Sequence, residues 1–187
     1  MIVKVDDGNL MRVAFKWKVI VLGEPTVGKT TLMLRYAEKK FNELYIPTSG
    51  VQVSVKQIPI KLEKEKALVD LNIWDIAGHS KFQDIRKIFY EGANAFLILY
   101  DITNEGTFDG TDYWADDLRK IIGDQDGILI GNKRDLKSKR LIKEGAGEDK
   151  AFELGLDFFE TSAKTGENVE NVFETITQKL LARFGEQ

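Results

Sequence analysis

Two hydrophobic patterns alternate along the chain. Trp17–Leu22 (WKVIVL), Ala95–Tyr100 (AFLILY) and Ile128–Ile130 are continuous apolar runs, which predict parallel strands covered on both faces. Val51, Val53 and Val55 alternate with Gln52, Ser54 and Lys56, and Val69, Leu71 and Ile73 alternate in the same way. These read as two half-buried strands pairing through the KLEKEK turn region. Leu156–Phe159 is a further strand candidate. Between the strands the period changes. Thr30–Lys39 is rich in Leu, Met, Arg and Glu, Trp114, Leu118, Ile121 and Ile122 recur at helical spacing, and Val169, Val172, Phe173, Ile176 and Leu180 share one helix face. Strands alternating with helices predict an α/β layer structure with right-handed crossovers. Residues 1–12 carry Asp6, Asp7, Gly8 and Asn9 and read as a short extension, a floppy terminus rather than an added strand. The expected organisation is an N-terminal extension over 1–14, one domain over 15–183 and a short tail over 184–187.

Composition narrows the chemistry. The chain has 187 residues, enough for one domain. Its 27 Lys and Arg against 30 Asp and Glu give a net charge of −3, which argues against a nucleic-acid-coating protein. The absence of cysteine excludes disulfides, thiolate nucleophiles, Cys-ligated metal and prenylation. The single histidine, His79, leaves little material for a His-rich metal site or a Ser-His triad. No apolar run is long enough to span a bilayer, the segment MIVKVDDGNL lacks a signal-peptide core, and Ile2 excludes myristoylation. The expected location is the cytoplasm.

The chemistry-bearing segment begins where the first apolar run ends. Gly23-Glu-Pro-Thr26-Val27-Gly28-Lys29-Thr30 matches G-x-x-x-x-G-K-[ST] between a predicted strand and a predicted helix. The glycines let the backbone wrap phosphate oxygens, and the loop N–H groups point inward at the head of a helix. Lys29 supplies positive charge to the outer phosphates, and the Thr30 hydroxyl is a hard ligand suited to Mg²⁺. A nucleoside triphosphate is the expected ligand.

Asn132-Lys133-Arg134-Asp135 follows the run Ile128–Gly131, at a strand's carboxyl end where ligands bind in open α/β sheets. The Asp135 carboxylate can accept from guanine N1–H and the 2-amino group, whereas adenine would present an acceptor to it. Taken alone, the tetrapeptide reads equally well as a solvated charged turn.

Gly23–Thr30, Thr48, Asp75-Ile-Ala-Gly78, Asn132–Asp135 and Thr161-Ser-Ala-Lys164 stand in the order and approximate spacing of the small Ras-like GTPases. Phe89–Phe108 and Phe159–Val169 look most like the Rab branch, and the resemblance covers Lys16 to Leu181. It implies a P-loop NTPase fold: a mostly parallel six-stranded sheet with about five flanking helices. It also implies a guanine-nucleotide switch that takes GTP or GDP with Mg²⁺. Gly23, Thr26, Val27, Gly28, Lys29 and Thr30 would hold the phosphates, and Thr31 the α-phosphate. Phe41 matches the aromatic residue packed against the base, and Tyr45 the tyrosine that closes over the phosphates. Thr30, Thr48 and Asp75 would hold the metal, and the Gly78 N–H would meet the γ-phosphate. Asn132, Lys133 and Asp135 would clasp the base, with Ser162, Ala163 and Lys164 forming the loop that reads the guanine O6. The resemblance makes Lys29, Thr48, Gly78 and His79 the catalytic set.

The chain departs from the family pattern in three places. His79-Ser80 stands where the family has glutamine then glutamate, and the usual glutamine orients the attacking water. Neutral imidazole can accept from water, and histidine occupies the comparable place in translation GTPases. His79 therefore either positions water or is an exposed switch residue without a catalytic part. Pro25 replaces the sensitive phosphate-loop glycine of Ras and carries a ring where a partner's arginine would enter. Both changes predict slow hydrolysis. Arg86 is the arginine available in the second switch, and it reads as a surface residue. The chain ends in Leu181-Ala-Arg-Phe-Gly-Glu-Gln187, without the cysteines that carry lipid in membrane-bound members. Membrane contact would then be indirect or through a segment absent from this sequence.

The expected protein is a monomer. It signals through switch loops around 44–50 and 78–89 to effectors, an exchange factor and a GTPase-activating protein. Ile46, Val51, Trp74, Phe82, Ile85, Ile88 and Tyr90 are the candidate effector face, with core packing as the alternative for some of them, Trp74 included. A GTP-holding scaffold that does not hydrolyse is the alternative function.

Overall fold

The computed structural model describes residues 2–4, 10–40, 48, 50–62, 65–79 and 83–185. The strands are β1 (Ile2–Lys4), β2 (Leu10–Gly23), β3 (Val51–Lys61), β4 (Lys66–Ile76), β5 (Ala95–Asp101), β6 (Asp126–Asn132) and β7 (Asp157–Glu160). The helices are α1 (Lys29–Glu38), α2 (Gln83–Tyr90), α3 (Glu105–Asp109), α4 (Thr111–Ile122), α5 (Ala146–Leu154) and α6 (Val169–Phe184), with a 3-10 segment over Arg134–Lys139. The sheet runs β3-β4-β2-β5-β6-β7, with β1 paired to β2 off this path. Among the described residues, β3 on β4 and β1 on β2 are the antiparallel pairs. The expected mostly parallel six-strand sheet is present. Among the described residues the helices number six, because Gly110 separates the short α3 from α4.

Alternation in the central strands splits the core into two layers. Val19 and Val21 of β2 join Leu32, Met33, Tyr36, Phe173, Ile176 and Leu180 under α1 and α6. Ile20 and Leu22 join Tyr90, Phe96, Trp114, Leu118 and Ala151 under α2, α4 and α5. Each such fully buried aliphatic side chain stabilises the fold by about 1.5–3 kcal/mol. Tyr36 stacks on Phe173, ring centroids 4.0 Å apart, and so fastens α1 to α6.

Three sequence readings change. First, β2 begins at Leu10, seven residues before the apolar run, and pairs Leu10–Arg12 with Ile2–Lys4 in place of a floppy terminus. The extension has a partner because β4 is long enough to pair Val13 with Leu68, and Arg12 bridges Glu65 at 2.6 Å. Second, the alternation of β3 is real but its faces are exchanged beyond Val51. Val53 and Val55 are exposed, while Ile58 and Ile60 pack on the α1–α6 layer and the Lys56 ammonium lies over Tyr36. β3 is the outermost strand, and α1 covers only one of its faces. Third, Tyr90 is fully buried and donates its hydroxyl to Asp117 (3.1 Å), so it belongs to the core and not to the effector face.

From β2 the chain passes to β3 and β4 on one side and then to β5 on the other. The carboxyl end of β2 is therefore a switch point of the sheet, the kind of place where open α/β sheets bind ligands.

Candidate functional site

The loop after β2 holds a shape that only glycine permits at its two ends. Gly23 (φ +136) and Gly28 (φ +100) lie in the left-handed region. A Cβ on Gly23 would come within 2.3 Å of the Leu99 carbonyl oxygen, and one on Gly28 within 2.3 Å of Asn132 Nδ2. Between them Thr26 also has positive φ and is exposed, while Val27 is buried. Lys29 opens α1 and is buried, its ammonium donating to the carbonyls of Gly23 and Glu24, each at 2.9 Å. Burial brings the Lys29 pKa down to about 8; Asp75 and Glu24 oppose the fall, and Arg86 adds to it. A buried ammonium in this condition gains from a neighbouring anion. Thr31 follows in the first turn of α1, half-buried.

A cluster of oxygens forms beside the lysine. The Thr30 hydroxyl donates to Asp75 Oδ2 and lies 2.8 Å from the Thr48 hydroxyl, which also donates to Asp75 Oδ2, at 3.2 Å. Asp75 is fully buried near the end of β4, and its Oδ1 has no hydrogen-bond partner. Burial pushes its carboxyl above the usual range, and the Thr30 hydroxyl, the Lys29 charge and the Thr48 hydroxyl pull it back. One carboxylate and two hydroxyls, with an orphaned buried oxygen, fit Mg²⁺ that completes its shell with phosphate and water. Among the described residues no group of three His, Cys, Asp or Glu could hold a metal alone.

Gly78 follows β4 and touches the phosphate loop. A Cβ there would stand 2.4 Å from the Gly23 carbonyl oxygen and 2.9 Å from the Pro25 nitrogen. His79 is exposed and lines a cavity of about 310 Å³ with Glu24, Pro25, Gly78, Arg86, Tyr113 and Trp114. Arg86, expected on the surface, is only 2% exposed. Its place on α2, packed against α4, turns it inward over the Trp114 ring.

The loops after β6 and β7 meet the phosphate loop through Asn132. Its amide donates to the Val27 carbonyl (2.8 Å), and its oxygen accepts from the Thr161 hydroxyl (3.0 Å) and the Ala163 N–H (3.2 Å). Lys133 takes a left-handed conformation and pairs with Asp101 at 2.6 Å. Asp135 is exposed and accepts from the Ser162 hydroxyl at 2.6 Å. Lys164 is exposed beside Ala163. Arg35 of α1 donates to the carbonyls of Ala163 (2.9 Å) and Lys164, clamping this loop from behind.

The fold therefore gathers Gly23–Thr31, Thr48, Asp75, Gly78, His79, Asn132, Lys133, Asp135 and Ser162–Lys164 at one end of the sheet. Phe41 and Tyr45 lie outside the described residues, as do Ile46, Ser80 and Phe82. Sequence reading missed Arg35, Asp101, Glu24 and Trp114. Asp101 carried a usable signal, since it ends the apolar run of β5; Arg35 and Trp114 read as helix residues, and Glu24 as a variable position of the phosphate-loop motif.

The sequence model of the Ras family matches residues 18–182. The chain is 35% identical to Ras-related protein Rab-8A of Pongo abelii over 170 residues, covering 90% of this chain and 80% of that protein. It is 35% identical to Ras-related protein Rab-3C of Bos taurus over 181 residues (96% and 78%). It is 34% identical to Ras-related protein Rab-13 of Bos taurus over 170 residues (90% and 82%).

Proposed function

The chain belongs to the Ras family of GTP-binding small GTPase switches, on its Rab/Ras branch, and from that premise we propose that it cycles slowly between GTP and GDP and reports its state through two loops. The observation that carries this reading is the meeting of four separate sequence segments at the carboxyl ends of β2, β4, β6 and β7. The Gly23–Thr30 loop, the oxygens of Thr30, Thr48 and Asp75, and the Asp135 carboxylate thereby lie at one end of the sheet.

In this reading the N–H groups of the phosphate loop and the Lys29 ammonium bind the polyphosphate. The ammonium exchanges the carbonyls of Gly23 and Glu24 for phosphate oxygens. Thr30, Thr48 and Asp75 would hold Mg²⁺, which when bound would neutralise charge on the phosphates. Asp135, steadied by Ser162, accepts from the guanine edge. Asn132 fixes the distance between cradle and base loop. The Gly78 N–H would meet the terminal phosphate, and loss of that phosphate would release this contact and change the state a partner reads. His79 orients the attacking water less well than an amide that both donates and accepts, and the Pro25 ring narrows the approach of an arginine from a partner. Both effects keep turnover slow.

Exposed Ile85 and Ile88 on α2, with Val53 and half-buried Trp74 on the uncovered sheet face, form the effector surface of this reading. An exchange factor and a GTPase-activating protein would act on the same loops. No helix among the described residues is long and apolar enough to cross a membrane, and recruitment from the cytoplasm by a partner is the proposed route to membranes.

The deciding experiment identifies the nucleotide carried by the purified protein and follows single-turnover phosphate release with Mg²⁺. Guanine nucleotide with slow release supports the reading. Tight GTP retention with no release over many hours replaces the switch by a scaffold, and absence of any guanine nucleotide binding overturns both.

A further inference from the structure

Arg86 is a cation in an unusual place. It is 2% exposed, yet no ion pair joins it to a carboxylate among the described residues. Its guanidinium stacks 4.3 Å from the centroid of the Trp114 ring. One terminal nitrogen donates to the Gly78 carbonyl at the long distance of 3.5 Å, the other to the Tyr113 hydroxyl at 3.2 Å, and Nε is buried without a partner. The Trp114 indole in turn donates to the Glu24 carboxylate of the phosphate loop at 3.2 Å. Gly78, Arg86, Trp114 and Glu24 thus close a ring that joins both walls of the candidate phosphate site to α2 and α4, around the 310 Å³ cavity.

We propose that Arg86 is a positioning residue that senses the terminal phosphate and holds α2 against α4 in the triphosphate state. The inference rests on the nucleotide reading above. A desolvated guanidinium that meets, among the described residues, a ring face, a hydroxyl and one distant carbonyl is under-compensated. Bringing further negative charge to the loop that its Gly78 bond reaches stabilises its buried position. Removing that charge makes the same position costlier. Its field already extends to the phosphate end of the site, since it helps to depress the Lys29 ammonium after burial has done most of that work. The Gly78 carbonyl shares a peptide plane with the His79 N–H, so the same bond also sets the direction in which His79 leaves the loop. A ligand shifts such an equilibrium only through a difference in affinity for its two states. Here the difference resides in one buried charge.

The test compares the affinities for GDP and for a non-hydrolysable GTP analogue, with Mg²⁺, in the wild type and in Arg86→Gln, Arg86→Lys and Trp114→Phe. Arg86→Gln is expected to lower the preference for the triphosphate about tenfold while the affinity for GDP stays close to wild type. Arg86→Lys, which keeps the charge, retains most of the preference. Tryptophan emission of the wild type is expected to differ between the two nucleotides, and Trp114→Phe to abolish that difference. A purely structural role lowers both affinities together. An unchanged affinity ratio in folded Arg86→Gln overturns the proposal. Should that variant not fold, the ratio is read on Trp114→Phe, which removes the donor to Glu24 and weakens the guanidinium's seat; a wild-type ratio there overturns it as well. A wild-type protein that binds neither nucleotide overturns the nucleotide reading, and this inference with it.

Discussion

Asn132 and Val27 are 105 residues apart in sequence and joined by a 2.8 Å hydrogen bond from the asparagine amide to the valine carbonyl. Because the same side chain accepts from Thr161 and Ala163, one residue ties the loops after β2, β6 and β7 together. Asn132→Ala is expected to cost about 2–4 kcal/mol of stability, from lost bonds and stranded partners, and to weaken GTP and GDP alike. Thermal unfolding and nucleotide titration check both parts; full retention of affinity would contradict the tie.

Asp135→Asn exchanges an acceptor pair for one acceptor and one donor. Guanine then meets a donor against its 2-amino group, while a purine carrying oxygen at C2 gains a partner. The expected result is a loss of about 2–4 kcal/mol in GTP binding and improved binding of xanthosine triphosphate, measured by competition. An unchanged preference for GTP over ATP removes Asp135 from the base site.

Lys29 makes binding and stability depend on pH. Its pKa falls from 10.5 to about 8 in the folded chain, so above pH 8 the unfolded chain binds more protons than the folded one. Without nucleotide, stability therefore rises as pH passes from about 8 toward 10.5, by about 3 kcal/mol in total. A bound phosphate restores the charged lysine. Nucleotide binding above pH 8 should thus take up a proton and weaken as pH rises. Calorimetry in buffers of different ionisation enthalpy measures the uptake, and its absence in Lys29→Met assigns it.

His79→Ala is expected to slow single-turnover hydrolysis about tenfold, less than the roughly hundredfold or more of a well-positioned base because His79 orients water poorly, with GTP affinity little changed. An unaltered rate assigns His79 to the exposed surface of the switch.

The Tyr36–Phe173 stack predicts a change that leaves the chemistry alone. Phe173→Ala removes a fully buried ring and should cost about 3–5 kcal/mol, seen in denaturant unfolding. Selectivity for guanine over adenine should be preserved in the folded fraction.

Legibility in the sequence followed locality. Gly23–Thr30 was readable because one contiguous segment carries the whole cradle, and both of its glycines have a steric reason visible in the fold. The central strands were readable because helices cover both their faces. β3 was misread past Val51 because alternation gives a period but not which side α1 occupies. The strand before Trp17 was missed because its partner, the first half of β4, is distant in sequence. Arg86 was misjudged for a related reason: a charge on a short amphipathic helix reads as solvent-facing until Trp114 is known to lie beneath it. The meeting of Thr30 and Thr48 with Asp75 came from family resemblance, since no spacing rule brings three distant residues together.

Val21 lies opposite Asp75 in the parallel pairing of β2 with β4. Displacing one strand by a single step would swing that carboxylate through to the far side of the sheet. On the proposed reading, a chain paired out of step would lose the meeting of Asp75 with Thr30 and Thr48, and bound nucleotide would then stabilise the correctly aligned chain alone.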